Sequence, residues 1–312
     1  MTELHPQLKA MLEDVATANY PDQIDVPIDE ARRITVERAQ RFYGPAEPVA
    51  RIKALTIPGP TGPLRARIYA VESEAPLPVV VYFHGGGWVL GDIDSHDKGV
   101  RAVTNAAQCL SVSVEYRMAP EHPFPAAPDD CFAALRWIAE NAASFGGDAS
   151  RLAVAGDSAG GNLAAVCALM AKQRGGPALA FQLLIYPVVD YGMENGAYQD
   201  HADTLVLNRD RMAYFWDLYV PDPAQRTDWR AAPLLAPDHA GLPPALILGS
   251  GIDPLYAEGV AYAEKLKAAG VAVEHVGFPR MTHAFFQAPA LLDDSREAVD
   301  RAGAALKNAF AG

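Results

Sequence analysis

The sequence predicts an α/β protein: a mostly parallel central sheet of about eight strands, flanked on both faces by helices. Three observations carry that reading. From Pro78 onward, short apolar runs alternate with helix-length amphipathic segments, the rhythm of strand–helix–strand units. Upstream, Arg51 to Ile57 and Leu64 to Ala70 alternate in strand fashion around Pro58-Gly59-Pro60-Thr61-Gly62. That is a hairpin signal, so the sheet is mixed. One strand-to-helix junction reads Gly156-Asp157-Ser158-Ala159-Gly160, a G-x-S-x-G turn with almost no side chain on its flanks.

Each element follows from local pattern. Residues 1 to about 45 read as helical, with Leu4, Leu8, Met11, Leu12 and Val15 in an apolar stripe and a second helix over Ile28 to Phe42. After the hairpin, strands are expected at Pro78–Phe83, Leu110–Glu115, Leu152–Ala155, Phe181–Tyr186, Ala245–Gly249 and Ala272–Gly277. Helices are expected at Lys98–Ala107, Asp130–Phe145, Gly161–Lys172, Leu255–Ala269 and Arg296–Ala309. Asp129 or Asp130 is the expected cap of the second of these, with Gly146 ending it; Ser295 is the expected cap of the last. Residues about 190 to 240 break the rhythm: they hold helix-like pieces such as Arg209 to Tyr219 and no convincing strand. Inserted between two sheet strands, they are expected to lie over the carboxyl edge of the sheet. With residues 1 to about 45 they would form a cap on a single domain spanning 1–312.

Bulk properties exclude several classes. A chain of 312 residues, half of them hydrophobic, can bury one large core. A net charge of -12 argues against nucleic acid or an anionic membrane as partner. No apolar run reaches the roughly 18 residues of a membrane span, and the start lacks a basic, then apolar, leader pattern, so a cytoplasmic protein without stable membrane insertion is expected. Cys109, Cys131 and Cys167 are odd in number and widely spaced, which suggests neither a disulfide framework nor a zinc site. The eight histidines show no H-E-x-x-H spacing, so no metal is expected.

The chemistry is expected at Ser158. A serine exposed on a tight strand-to-helix turn is the layout of a nucleophile elbow. A second motif, His84-Gly85-Gly86-Gly87-Trp88, follows the apolar run Leu77 to Phe83. Loops of this type leave backbone N–H groups free to hold an oxyanion. The expected donors are Gly85, Gly86 and Ala159, the last at a helix N-terminus where N–H groups are unpaired. His84 is expected to fix this loop. Serine needs a base, and the base an orienting acid, in the chain order Ser, Asp or Glu, His. Of His201, His239, His275 and His283, the last sits between the final strand and the final helix and is the favoured base. Asp253 follows one strand and precedes Pro254-Leu255; it is the favoured acid, with Asp190 as the alternative. Trp88 and, from the inserted segment, Leu207, Tyr214, Phe215 and Trp216 are candidates for an apolar substrate pocket; spacing alone does not say which face inward.

Together, Gly156-Asp157-Ser158-Ala159-Gly160-Gly161-Asn162, His84-Gly85-Gly86-Gly87-Trp88, the Tyr116-Arg117-Met118-Ala119-Pro120-Glu121 segment and Asp253-Pro254-Leu255 resemble the bacterial hormone-sensitive-lipase-like esterases of the α/β-hydrolase superfamily. The resemblance covers roughly residues 50 to 310. It implies an α/β-hydrolase fold with a helical cap and hydrolysis of short- to medium-chain carboxylic esters without a cofactor, and it makes a homodimer possible. An amidase or deacetylase with the same triad remains an alternative, as does a non-catalytic ligand receptor, against which the retention of Ser158, Asp253 and His283 argues. Two departures are visible: Glu115 stands where the family often has Asp, and Ala284 follows His283 where glycine is commoner.

Overall fold

In the computed structural model, which describes residues 3–200 and 206–312, the chain forms one eight-stranded sheet with helices on both faces. The N-terminal helices are α1 (Pro6–Thr17) and α2 (Ile28–Phe42), followed by the hairpin β1 (Arg51–Pro58) and β2 (Pro63–Ala70). Then come β3 (Leu77–Phe83), α3 (Asp97–Ala107), β4 (Leu110–Glu115), α4 (Ala126–Asn141), β5 (Gly147–Asp157), α5 (Ala159–Arg174) and β6 (Phe181–Ile185). The last part holds α6 (Gly196–Asp200), α7 (Arg209–Tyr219), β7 (Ala245–Ile252), α8 (Tyr256–Ala268), β8 (Val273–Thr282) and α9 (Asp293–Phe310).

The strand order is β1-β2-β4-β3-β5-β6-β7-β8. β2 runs antiparallel to both β1 and β4, and the other neighbours are parallel. Parallel strands must be covered on both faces, and β3, β4 and β6 are buried almost end to end. Side chains alternate between faces with period two. Val79, Val81 and Phe83 pack toward α4, α5 and α8, whereas Val80 and Tyr82 pack toward α1, α3 and α9. α5 runs behind the centre of the sheet and is buried from Ala159 through Ala171. That is why it is apolar all round rather than amphipathic, and why Cys167 sits within it as a small core residue.

Several boundaries differ from the sequence reading. β5 begins at Gly147, not Leu152, because its polar first half pairs with Leu77 and Pro78 beyond a register shift at Val79. α4 starts at Ala126. Asp130 therefore does not cap it; the carboxylate is fully buried and accepts from the Arg117 backbone N–H at 3.0 Å and from its guanidinium at 2.8 Å. Ser295 likewise lies inside the first turn of α9, where its hydroxyl donates to the Phe286 carbonyl. α8 starts at Tyr256, one residue after the expected Leu255. Gly146 does end its helical segment, a short 3-10 turn over Ala142–Phe145, in the left-handed conformation.

Candidate active site

The elbow between β5 and α5 is shaped by contacts that forbid side chains. A β-carbon on Gly156 would lie 2.3 Å from the Gly160 carbonyl oxygen, and one on Gly160 would lie 1.9 Å from that of Phe83. With glycine at both positions, β5 turns sharply and leaves Ser158 at φ 55° and ψ -120°. A non-glycine residue in that region costs on the order of 1–3 kcal/mol and persists only where its surroundings impose it. Here they do. The Ser158 N–H donates to Ile185 at 2.8 Å, and its carbonyl accepts from Asn162 and Val188. The Asn162 side chain donates in turn to the carbonyls of Val188 and Ala231, tying the elbow to the loops that follow β6.

Parallel pairing sets the next two residues beside the serine. β6 lies between β5 and β7, and β7 pairs with β8, so the loops after β7 and β8 open on the edge where β5 ends. The His283 Nε2 is 2.9 Å from the Ser158 hydroxyl, and its Nδ1 is 2.7 Å from Asp253 Oδ2. Asp253 is fully buried and held by the Ser250 hydroxyl at 2.9 Å and the Leu255 N–H at 2.9 Å. Tyr186 packs beside the His283 ring, 4.6 Å between centroids. Ala284 takes a left-handed φ of 66° to turn the chain after His283. Asp190 makes no hydrogen bond to this histidine; its carboxylate accepts from its neighbour Tyr191 and its N–H donates to Glu258. His239 is bound to the Pro233 carbonyl, and His275 stands against Tyr256 in β8. His201 lies outside the described residues.

The glycine loop differs in one respect from the sequence reading. The Gly85 N–H is committed to Asp157 Oδ1 at 3.2 Å and cannot also serve a substrate oxygen. Gly86 and Gly87 line the cavity with Ser158, so the uncommitted part of the loop is shifted by one residue. Neither tolerates a side chain: a β-carbon on Gly86 would meet the Leu90 carbonyl at 2.1 Å, and one on Gly87 the Phe215 ring at 2.3 Å. His84 sits behind the loop with Nδ1 2.9 Å from the Gly85 carbonyl and its ring stacked on Tyr116. Burial, with the nearby His96 charge, lowers its pKa to about 4, so it is neutral at pH 7.

Asp157 and His96 were not singled out by sequence, although Asp157 occupies the variable position of the elbow motif. Asp157 Oδ1 accepts from the Tyr82 hydroxyl at 2.8 Å, and Oδ2 lies 3.2 Å from His96 Nε2. Burial opposes charge on both. The mutual attraction outweighs it, lowering the Asp157 pKa and raising that of His96. Glu258 was missed as well. It accepts from the N–H groups of Val189 and Asp190 and from the Tyr198 hydroxyl, and burial pushes its carboxyl up to about 8.

The cavity over Ser158 encloses about 150 Å3. Its walls include Thr35, Ala39 and Tyr43 from α2 and the stretch just after it, and Leu207, Met212 and Phe215 around α7. Trp88 and Tyr214 do not line it. Trp88 is fully buried and stacked on Tyr219 at 4.1 Å, with Trp216 at 5.0 Å. Trp216 and Tyr219, three residues apart on α7, form one face against Trp88, whereas Met212 and Phe215 form the face that looks into the cavity. Tyr214 is half-buried, edge-on to Phe215 and outside the cavity.

Known proteins match this arrangement. The model of a family described by the alpha/beta hydrolase fold matches residues 80–287. The chain is 49% identical over 237 residues to the carboxylesterase NlhH of Mycobacterium tuberculosis, covering 75% of this chain and 74% of that one. It is 36% identical over 303 residues to an ethyl acetate hydrolase of Pseudomonas putida, covering 94% and 95% of the two chains. The structure of an alpha/beta hydrolase enzyme from the metagenome of Lake Arreo superposes with a TM-score of 0.94 at 39% identity over 99% of both chains. With the sheet, the elbow and these relatives in agreement, the chain belongs to the hormone-sensitive-lipase-like branch of the α/β-hydrolase family and is a carboxylic ester hydrolase.

Proposed function

We propose that the protein hydrolyses short- to medium-chain carboxylic esters through Ser158, His283 and Asp253, with an acyl-enzyme intermediate. One observation carries this reading: a continuous hydrogen-bonded chain from the Ser158 hydroxyl through His283 to a buried Asp253, with steps of 2.9 and 2.7 Å. His283 takes the serine proton as Ser158 attacks the ester carbonyl. Asp253 holds the imidazole in the required tautomer and stabilises its charged form. The oxyanion accepts from the N–H groups of Gly86, Gly87 and Ala159, the last at the positive end of α5. His283 then protonates the departing alcohol, and water releases the acid by the same steps in reverse order.

Helices α1, α2, α6 and α7, with the segments around them, act in this proposal as a cap that keeps bulk water from the acyl-enzyme. The chain-length preference rests on volume. About 150 Å3 is the scale of a cavity that holds a benzene-sized group, enough for a short acyl chain. The likeness to an ethyl acetate hydrolase supports the same end of the range.

The test is hydrolysis of p-nitrophenyl esters from acetate to palmitate by wild type and Ser158→Ala. Loss of turnover by a factor of about 10⁴ or more in the variant is expected, with a wild-type optimum at or below about eight acyl carbons. Wild-type rates in the variant would overturn the nucleophile assignment, and activity climbing through palmitate would overturn the chain-length assignment.

A further inference from the structure

Among the described residues, the basic side chains that line the cavity are almost all matched. His283 has Asp253 at 2.7 Å, His96 has Asp157 at 3.2 Å, and Arg211 has Asp22 at 2.7 Å. Arg38, on the cavity side of α2, is the exception. Among the described residues it makes no ion pair and no side-chain hydrogen bond. Other α2 arginines are engaged: Arg32 binds Glu121 at 2.7 Å, and Arg33 binds Glu37 at 2.6 Å. In a chain with 38 acidic and 26 basic residues, an arginine left without a carboxylate in a half-buried position is not what composition favours. The surroundings are polar but neutral: the Gln23 amide donates to the Thr35 hydroxyl, one turn before Arg38, and both line the same wall.

Any solvation that the Arg38 guanidinium gives up on the cavity wall is returned by no carboxylate among the described residues. An incoming carboxylate would return it through two parallel, charge-assisted hydrogen bonds, which are stronger than neutral ones. We propose that Arg38 is an anion subsite of this cavity, and that the favoured esters carry a carboxylate besides the ester group. The inference rests on the catalytic reading above and specifies its substrate class. The carboxylate can sit on either side of the scissile bond, as in a half-ester of a dicarboxylic acid or an acylated hydroxy acid.

Three esters of similar size separate these cases: ethyl butyrate, monoethyl succinate and acetoxyacetate. In wild type, kcat/KM for one of the two acidic esters is expected to exceed that for ethyl butyrate, and which one it is identifies the side that Arg38 reads. In Arg38→Met that ratio is expected to fall at least 10-fold, chiefly through KM. Arg38→Lys should retain part of the preference, because it keeps the charge but not the fork. Free succinate should inhibit wild-type turnover of ethyl butyrate more strongly than butyramide does, a comparison that needs no variant. Equal ratios in wild type and Arg38→Met, or no preference for either acidic ester, would overturn the subsite while leaving the esterase reading intact. Failure of wild type to cleave any of the three, or equal cleavage by Ser158→Ala, would overturn the catalytic reading itself.

Discussion

Asp157 and His96 form a buried pair, 3.2 Å apart, one residue before the serine of the elbow. The same carboxylate accepts the Gly85 N–H, so a single side chain joins the elbow to the glycine loop. Asp157 lies beside the cavity, but its oxygens are taken by Tyr82, Gly85 and His96, so its expected role is positioning rather than contact with the reacting atoms. Asp157→Asn keeps the shape but weakens the pull on His96 and Gly85. The expected result is a kcat lowered about 10- to 100-fold with KM little changed, since misplaced oxyanion donors act on the transition state. Steady-state kinetics on a short p-nitrophenyl ester check it; a rise in KM alone would speak against positioning.

Gly160→Ala tests the packing of the elbow. Its β-carbon would lie 1.9 Å from the Phe83 carbonyl oxygen, which belongs to a central strand and cannot retreat. Loss of about 2 kcal/mol or more of stability is expected, with the serine displaced and activity lost. Urea unfolding and labelling of Ser158 by an organophosphonate report the two effects separately.

Ala284→Gly should act the other way. Ala284 sits at φ 66° and ψ 5°, a conformation glycine adopts without strain. Relief of that strain is partly offset by the extra freedom of glycine in the unfolded chain. A gain of up to about 1 kcal/mol is expected in thermal or urea unfolding. A clear loss of stability would mean that the methyl group contributes more by packing in the cavity wall than its backbone strain costs.

Glu258 gives a pH signature. Its carboxyl is raised by burial from 4.5 to about 8 in the folded protein. The folded state therefore holds a proton that the unfolded state releases, so this contribution to stability is complete below about pH 4.5 and is lost as pH rises through about 8. Glu258→Gln keeps an acceptor for the Val189 and Asp190 N–H groups without a proton to lose. Across pH 5, 6.5 and 8, the Tm of wild type is expected to drop relative to that of the variant. A constant difference would show that Glu258 is not the group that titrates.

The strand–helix alternation was legible because buried parallel strands are short apolar runs and their helices are long enough to carry a stripe. α2 and α7 have the bounds their patterns predict, Ile28–Phe42 and Arg209–Tyr219. Caps were less legible. Asp130 and Ser295 have the chemistry of caps, yet long-range partners, Arg117 and the Phe286 carbonyl, claim them. Trp88, a pocket candidate by sequence, was undecided for a similar reason: an aromatic beside a glycine loop can turn either way, and Trp216 and Tyr219 on α7 decide which. Asp157 and His96 are 61 residues apart with no motif linking them, so no local pattern announces their pairing.

By itself the sequence determined the sheet-and-helix order, the tight turn at Ser158 and the few residues whose chain order suits acyl transfer. These depend on local periodicity and on where glycine is required, which neighbours in the chain reveal. Tertiary structure alone decided that His283 lies 2.9 Å from Ser158 across 125 residues and that Gly85 is taken by Asp157. It also decided that Arg38 faces the cavity without a counter-ion among the described residues. Those facts depend on which strands become neighbours and which helix faces turn inward, and hydrophobic burial over the whole chain settles both at once.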